Sequence, residues 1–145
     1  MKHKDKRIKR LVMMGVPNKG AELADIAKSN PLFKFVFGPA GQQLVTDDTF
    51  ISKLPIPGFE FGVIAGGKGN IKGYNPLIPG DDDGTVGVHS TRLEGAADFL
   101  LVRAMHSFIM WSEEPIVATI RFLKTGKFRE NEPARPIART AEADK

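Results

Sequence analysis

The chain has 145 residues, of which 41% are apolar and 8% aromatic, so it can form one globular domain with a core of moderate size. It contains no cysteine, which excludes disulfides, thiolate metal ligands and a cysteine nucleophile. There is no apolar stretch of about 18 residues and no signal-peptide cleavage site after the basic N-terminus. We expect a cytoplasmic protein without a membrane span.

The net charge of +4 is concentrated at the N-terminus. Residues 1–10 carry six Lys/Arg and one Asp, whereas the rest of the chain carries 15 basic and 16 acidic residues. A basic arm can bind nucleic acid, but no aromatic residues interleave with these charges and the arm runs directly into an apolar segment. We interpret residues 1–7 as a solvated basic tip and expect no nucleic-acid partner.

The first predicted element is a strand at Ile8–Met14, a short apolar run typical of a strand buried on both faces of a parallel sheet. Ala21–Lys28 predicts a helix, because helix formers there are followed by a Ser-Asn-Pro stop. The stretch up to Pro57 is less regular. It contains a helix candidate at Ala40–Val45 and the aromatic region Phe33–Phe37, which is either core or the lining of a pocket.

Two further strands are predicted at Phe59–Ala65 and Phe99–Val102. The spacing in Pro115–Leu123 predicts a closing helix that packs on the sheet and ends at Thr125-Gly126, with Ile116, Ile120 and Leu123 on one face. Residues 1–128 are therefore interpreted as one domain. Residues 129–145 have almost no apolar bulk, and we expect them to be disordered.

The segment Gly62–Lys68 matches the phosphate-binding pattern G-x-x-x-x-G-K. A phosphate-binding loop needs Ser or Thr next and a helix whose N-terminus faces the phosphates, but Gly69 follows and no helix is predicted to start there. We therefore expect no nucleotide and no other cofactor.

Asp81, Asp82 and Asp83 are adjacent, so their carboxylates point in different directions and lack the alternate spacing of an EF-hand loop. We expect no metal site. The other interpretation is that one of them accepts a hydrogen bond from an imidazole and holds it in the tautomer that acts as a base. Asp83, beside the permissive Gly84, is the first choice, and Asp82 is the alternative.

His106 lies 23 residues after Asp83 and just beyond the third predicted strand. The apolar residues that follow it would exclude water, which suits a general base, although a lone histidine is commonly a structural residue. His89 is less suitable because it comes directly after the acidic turn, and His3 belongs to the basic tip. The chain has no G-x-S-x-G nucleophile elbow around any of its serines, which are Ser29, Ser52, Ser90, Ser107 and Ser112.

With these residues in place, the chain from about Ile8 to Phe128 resembles the C-terminal part of a bacterial α/β-hydrolase of the esterase/lipase type. Four stretches carry the resemblance: 11–20, 38–44 together with 61–66, 79–95, and 97–110. The resemblance implies a partial doubly wound α/β sheet of about three mainly parallel strands with flanking helices, with the N-terminal half of the fold absent. It also implies Asp83 as the triad acid and His106 as the base.

In the family that the chain resembles, the serine, its helix and the oxyanion donors come upstream of the segment matching Ile8. Removing the serine from a triad costs about 10⁶ in turnover. We therefore expect a fragment of a carboxylic ester hydrolase that is inactive alone, whose substrate would be a small ester or acyl compound. A non-catalytic module for an apolar ligand or a partner is the alternative, and a basic-arm nucleic-acid binder is a weaker one. The apolar edge of the Ile8–Met14 strand is expected to cause self-association.

Overall fold

The computed structural model describes residues 7–19 and 55–139. Three strands form a sheet in the order β1-β2-β3, and both pairs are parallel. The strands are β1 (Arg10–Met14), β2 (Glu60–Gly67) and β3 (Asp98–Arg103). The predicted helices at Ala21–Lys28 and Ala40–Val45 and the Phe33–Phe37 region lie outside the described residues.

Parallel pairing puts the carboxyl ends of the three strands at one edge of the sheet. Val12 lies beside Gly62 and Met14 beside Ile64, while Val63 pairs with Phe99. The apolar runs form strands here because both faces of the sheet are covered. The predicted α/β class with a few mainly parallel strands is confirmed.

Helices cover the two faces of the sheet. Helix α1 (Val88–Thr91) and helix α2 (Glu113–Thr125) are joined through β3 and a 3₁₀ helix, His106–Trp111. Two apolar clusters result, one per face. The α2 face contains Ile64, Leu100, Val102, Ala118, Phe122 and Phe128, and the other face contains Phe61, Val63, Ala65, Ala96 and Phe99.

The predicted packing face of α2 is wrong. Ile116, Ile120 and Leu123 are all exposed, and the helix is buried through Pro115, Ala118 and Phe122. The ring of Phe122 stacks on Phe128 with 4.7 Å between centroids, and both rings lie against Gly62, where any side chain would clash with them. This aromatic pair sets the rotation of the helix. The predicted stop at Gly126 is correct, since this residue takes the left-handed C-cap conformation with φ 81°.

Residues 129–139 form no helix or strand, and they are hydrogen bonded to β3 and to the residues before it. The buried carboxylate of Asp98 accepts hydrogen bonds from the backbone N–H groups of Phe128 and Arg135, both at 2.8 Å. Ile137 exchanges backbone hydrogen bonds with Gly95 and Ala96. Long-range polar contacts hold this segment, and Ile137 also packs against the apolar cluster on one face of the sheet. Residues 140–145 lie outside the described residues.

The same contacts protect one edge of the sheet. The N–H of Phe99 donates to the Asp98 carboxylate at 2.9 Å, and the C=O of Phe99 accepts from the Arg129 guanidinium at 3.2 Å and 3.3 Å. These backbone groups of β3 are therefore satisfied by side chains, and they offer no template for another strand. Across the described ranges, no helix has the length and apolar character needed to cross a bilayer.

Replacing Asp98 by alanine is expected to lower the free energy of unfolding by about 3–5 kcal/mol, because it leaves buried N–H groups and the mostly buried Arg129 cation without their acceptor. Glu132→Gln is the matched control, since Glu132 is an exposed partner of Arg129 and Arg135. We expect it to change stability by less than about 0.5 kcal/mol. Urea unfolding followed by circular dichroism measures both, and equal losses would contradict the role of Asp98.

Candidate active site

The candidate site lies at the carboxyl end of the sheet, where segments following β2 and β3 meet. The segment after β2 is built from turns and contains the acidic residues 81–83, and the segment after β3 enters the 3₁₀ helix that starts with His106. Since parallel strands end at the same edge, two residues 23 positions apart are brought into contact. The structure joins Asp83 and His106 there.

Asp83 is a buried carboxylate whose two oxygens have different partners. Oδ1 accepts the backbone N–H groups of Thr85 at 3.0 Å and Val86 at 2.7 Å. Oδ2 accepts the Nδ1–H of His106 at 2.7 Å. The backbone adds a second link, because the N–H of His106 donates to the C=O of Asp83 at 2.8 Å. The carboxylate is thus fixed by its own turn and oriented toward the imidazole.

The imidazole of His106 is only partly exposed, with 38% of its side chain accessible. The hydrogen bond that His106 donates to Asp83 raises the pKa of the imidazole above its ordinary value of 6.5. Burial of the imidazole opposes this rise, and the negative charge of Asp83 adds to it. With Nδ1 committed to Asp83, Nε2 is the ring nitrogen available to exchange a proton. This is the arrangement of a general base and its orienting carboxylate.

The two other acidic residues of the turn, Asp81 and Asp82, accept hydrogen bonds from backbone N–H groups of the segment that follows β2. Asp81 accepts the backbone N–H groups of Lys68 and Gly69 at 2.8 Å and 2.9 Å. Asp82 Oδ1 accepts those of Asn75 and Gly84 at 2.9 Å and 2.6 Å. The Asp82 Oδ2 atom is buried without a partner in the described chain. The structure therefore places Asp83, and not the alternative Asp82, on His106.

Two glycines let the strands approach the pair. A Cβ on Gly15, which directly follows β1, would lie 3.1 Å from His106 Cε1, and its φ of 60° is left-handed. A Cβ on Gly66 in β2 would lie 2.7 Å from the Ala104 carbonyl and 2.8 Å from Asp83 Cβ. Only the close approach of His106 and Asp83 reveals the role of these glycines at the site.

The apolar residues after His106 do not bury it as expected. Ile109 is buried, but Phe108, Met110 and Trp111 are exposed, and Trp111 has 77% of its surface accessible. The 3₁₀ geometry explains this, since three residues per turn place only one side of so short a helix against the sheet. The segment that carries His106 therefore has an exposed apolar surface, called the apolar rim below, which consists of Phe108, Met110 and Trp111.

The other candidate groups do not join the pair. Ser90 Oγ lies 3.2 Å from His89 Nε2, and Ser112 Oγ donates to the Phe108 carbonyl. Among the described residues, no serine is hydrogen bonded to His106. No group of three or more His, Asp or Glu side chains within ranges 7–19 and 55–139 is arranged to hold a metal ion.

Asp83→Asn is expected to lower the pKa of His106, because the hydrogen bond and the negative charge that raise it are lost. Asp82→Asn, a change of the same kind one residue away, should leave this pKa close to the wild-type value. Titration of the imidazole C–H signals by NMR measures both, with His106→Gln used for assignment among the three histidines of the chain. An equal shift in the two variants would show that the pairing is wrong.

The pair is also expected to make stability depend on pH. Because the folded pKa of His106 lies above its unfolded value of about 6.5, the contribution of the protonated pair is complete below about pH 6.5 and is lost as the pH rises through the raised pKa. The difference in unfolding free energy between wild type and His106→Gln should therefore fall as the pH increases above 6.5. Urea unfolding at a series of pH values measures it, and a difference that grows with pH would contradict the assignment.

No known protein-family model matches the sequence, and no curated protein matches it. Among solved structures, the chain is similar to the Bacillus licheniformis lipase BlEst2 in its propeptide form, with 19% identity and a TM-score of 0.60. The match covers 90% of this chain and 32% of the lipase chain, so the protein spans about a third of the length of that enzyme. At this identity the likeness concerns the fold alone, a parallel α/β sheet with flanking helices.

Proposed function

We propose that this chain is the acid and base part of a serine hydrolase that acts on carboxylic esters. The observation that carries the proposal is the 2.7 Å contact between Asp83 Oδ2 and His106 Nδ1, at the carboxyl end of a parallel sheet. The fold likeness to a lipase supports it at a coarse level. The burial of Asp83 beside a partly exposed imidazole supports it further, since this is the asymmetry that an orienting acid and a reacting base need.

In the proposed reaction, Asp83 holds the Nδ1–H of His106, so that Nε2 carries the lone pair. Nε2 takes the proton of a serine hydroxyl as its oxygen attacks the ester carbonyl, and the resulting imidazolium is stabilised by the carboxylate of Asp83. His106 then gives the proton to the leaving alcohol. In the second half, Nε2 takes a proton from water as the water oxygen attacks the acyl-enzyme, and His106 then returns this proton to the serine oxygen as the carboxylic acid leaves.

The nucleophile is the part of the proposal that this sequence does not contain. No G-x-S-x-G elbow occurs in it, and the donors that stabilise the oxyanion accompany that elbow in the enzymes the chain resembles. The proposed activity therefore belongs to an assembly in which a serine outside this sequence meets His106. Positioned acid and base groups alone leave the difficult step, formation of the acyl-enzyme, without a nucleophile.

The isolated chain is expected to show no serine-dependent ester hydrolysis. Its rate on p-nitrophenyl butyrate should be unaffected by a fluorophosphonate inhibitor, because there is no activated serine for the inhibitor to phosphonylate with loss of fluoride. His106→Gln separates any direct attack on the ester by the imidazole from the background. Inhibition of a measurable turnover by the fluorophosphonate would show that a serine of this chain is the nucleophile and would overturn the proposal.

The test of the whole proposal is to read the coding DNA upstream of Met1 in frame and search for a G-x-S-x-G motif, which should lie roughly 20–30 codons before Ile8. If the motif is found, the extended protein should hydrolyse short-chain esters, and His106→Gln and serine-to-alanine variants should each lose nearly all turnover. An extended protein that is active after His106→Gln would contradict the role of the pair.

The apolar rim favours a second candidate, a non-catalytic module for a small apolar ligand. Trp111 is the one tryptophan of the chain, so its fluorescence reports directly on that surface. Under this candidate, adding octanoate or dodecanoate should shift its emission to shorter wavelength at concentrations well below those for acetate, because burial removes water from the indole. An ester hydrolase with a rim for the acyl chain gives the same shift, and the turnover of the extended protein separates the two functions.

A further inference from the structure

We propose that Asn75 is a positioning residue for the Asp83–His106 pair, and that it acts through the peptide group that joins Gly84 to Thr85. Asn75 lies in the segment of turns between β2 and the acidic residues. The effect of Asn75 on catalysis rests on the proposed function, whereas its effect on the imidazole concerns only groups of this chain. All the contacts that carry the inference join described residues to one another.

The peptide group between Gly84 and Thr85 is hydrogen bonded at both of its ends. Its C=O, which belongs to Gly84, accepts the Nδ2–H of Asn75 at 3.2 Å. Its N–H, which belongs to Thr85, donates to Oδ1 of Asp83 at 3.0 Å. Because a peptide group is planar, the contact that fixes its carbonyl also fixes the direction of its N–H. The side chain of Asn75 therefore sets the direction in which the N–H of Thr85 points at the carboxylate.

The series of hydrogen bonds continues from the carboxylate to the imidazole. The χ2 torsion of an aspartate is broad when nothing restricts it, so the donors on Oδ1 of Asp83 determine where Oδ2 lies. Oδ2 accepts the Nδ1–H of His106 at 2.7 Å. Consecutive hydrogen bonds of this kind also polarise one another, which strengthens each of them. The amide of Asn75 is thus linked to the base by one peptide group and one carboxylate.

The amide of Asn75 is itself held by the fold. Its Oδ1 accepts the N–H of Leu77 at 3.0 Å. The backbone N–H of Asn75 donates to Oδ1 of Asp82 at 2.9 Å, and its C=O accepts the N–H of the buried Ile78 at 3.1 Å. These partners also assign the two ends of the amide, because the N–H of Leu77 needs an acceptor and the C=O of Gly84 needs a donor.

Gly84 makes the contact with Asn75 necessary as well as possible. Its φ of 94° lies in the left-handed region that favours glycine, and its N–H is held by Oδ1 of Asp82 at 2.6 Å. The ψ torsion of Gly84 rotates the peptide group that leads to Thr85, and glycine restricts this torsion less than any other residue. The hydrogen bond from Asn75 supplies the restriction that the glycine lacks.

Asn75→Ser tests the structural part of the proposal in the whole chain. A hydroxyl keeps an acceptor for the local turn, but it is one bond too short to replace the Nδ2–H that binds Gly84. We expect the amide proton of Thr85 to move to higher field, because its hydrogen bond to Asp83 weakens. The pKa of His106 should fall, because the carboxylate is then less firmly held toward the imidazole. NMR measures the amide signal directly and the pKa by titration of the imidazole C–H signals.

Asn70→Ser is the matched control. Oδ1 of Asn70 accepts the N–H of Lys72 at 2.9 Å, which is the same contact over two residues that Asn75 makes with Leu77. Its side chain has no hydrogen bond to residues 81–86 in the described structure, so both signals should keep their wild-type values. Should Asn75→Ser fail to fold, Asn75→Asp retains the shape and the acceptor, and it should move the Thr85 amide signal in the same direction.

Equal changes in the Asn75 and Asn70 variants would overturn the proposal, as would a Thr85 signal that does not move. A Thr85 signal that moves without a fall in the pKa of His106 in Asn75→Ser would overturn it too, since the series of contacts would then end at Asp83.

The catalytic part is tested in the upstream-extended protein that contains a G-x-S-x-G motif. Asn75→Ser should lower kcat there by about 10-fold to 100-fold with little change in KM, because a group that orients the base is lost and no substrate contact is removed. Asn70→Ser should keep the wild-type kcat. An extended protein without ester hydrolysis contradicts the proposed function and leaves the NMR result to decide on the positioning role. An active protein in which Asn75→Ser and Asn70→Ser have equal kcat contradicts the positioning role alone.

Discussion

The carboxylate of Asp83 is the constraint on which the candidate site depends. A fully buried carboxylate is tolerated only when donors satisfy it, and here the donors come from two sides. Thr85 and Val86 of the same turn bind one oxygen, and His106 binds the other. The backbone N–H of His106 is also hydrogen bonded to the C=O of Asp83. The turn after β2 and the segment after β3 are therefore held together by both backbone and side-chain contacts. The orientation of the imidazole is therefore a property of the fold, and no substrate is needed to produce it.

The two buried aspartates Asp83 and Asp98 have different kinds of donor, and the difference distinguishes a structural carboxylate from one that orients an imidazole. Asp98, at the start of β3, accepts hydrogen bonds from backbone N–H groups and lies beside the Arg129 guanidinium. Asp83 has an equally buried carboxylate, but one of its donors is a partly exposed imidazole, whose pKa the carboxylate raises. The first arrangement ties residues 128–137 to the sheet. The second arrangement holds the imidazole of His106 in a fixed position while leaving it partly exposed to solvent.

The sequence predicts the parts of this protein that rest on local patterns. Three apolar runs form the three strands, and the parallel arrangement brings the segments after β2 and β3, and with them Asp83 and His106, together. The burial face of α2 could not be predicted correctly, because Ile116, Ile120 and Leu123 form an apolar stripe of their own on the exposed side. The decisive contact is between Phe122 and Phe128, which lies beyond the helix end. The contacts of the segment after Phe128 could not be predicted for a similar reason. Its anchor, Asp98, is 30 residues away from Phe128 in sequence.

The apolar rim and the imidazole of His106 are both exposed to water, and this exposure bears on the strength of the Asp83–His106 interaction. A hydrogen-bonded ion pair is strengthened when water is removed from it, because the effective dielectric constant falls, yet the imidazole of His106 retains 38% exposure beside the exposed Phe108, Met110 and Trp111. Apolar surface in water costs about 25 cal/mol per Å² relative to its buried state. Under the proposed function, an acyl chain that covers the rim recovers this free energy, and if it also shields His106 from water it strengthens the interaction between the imidazolium and Asp83.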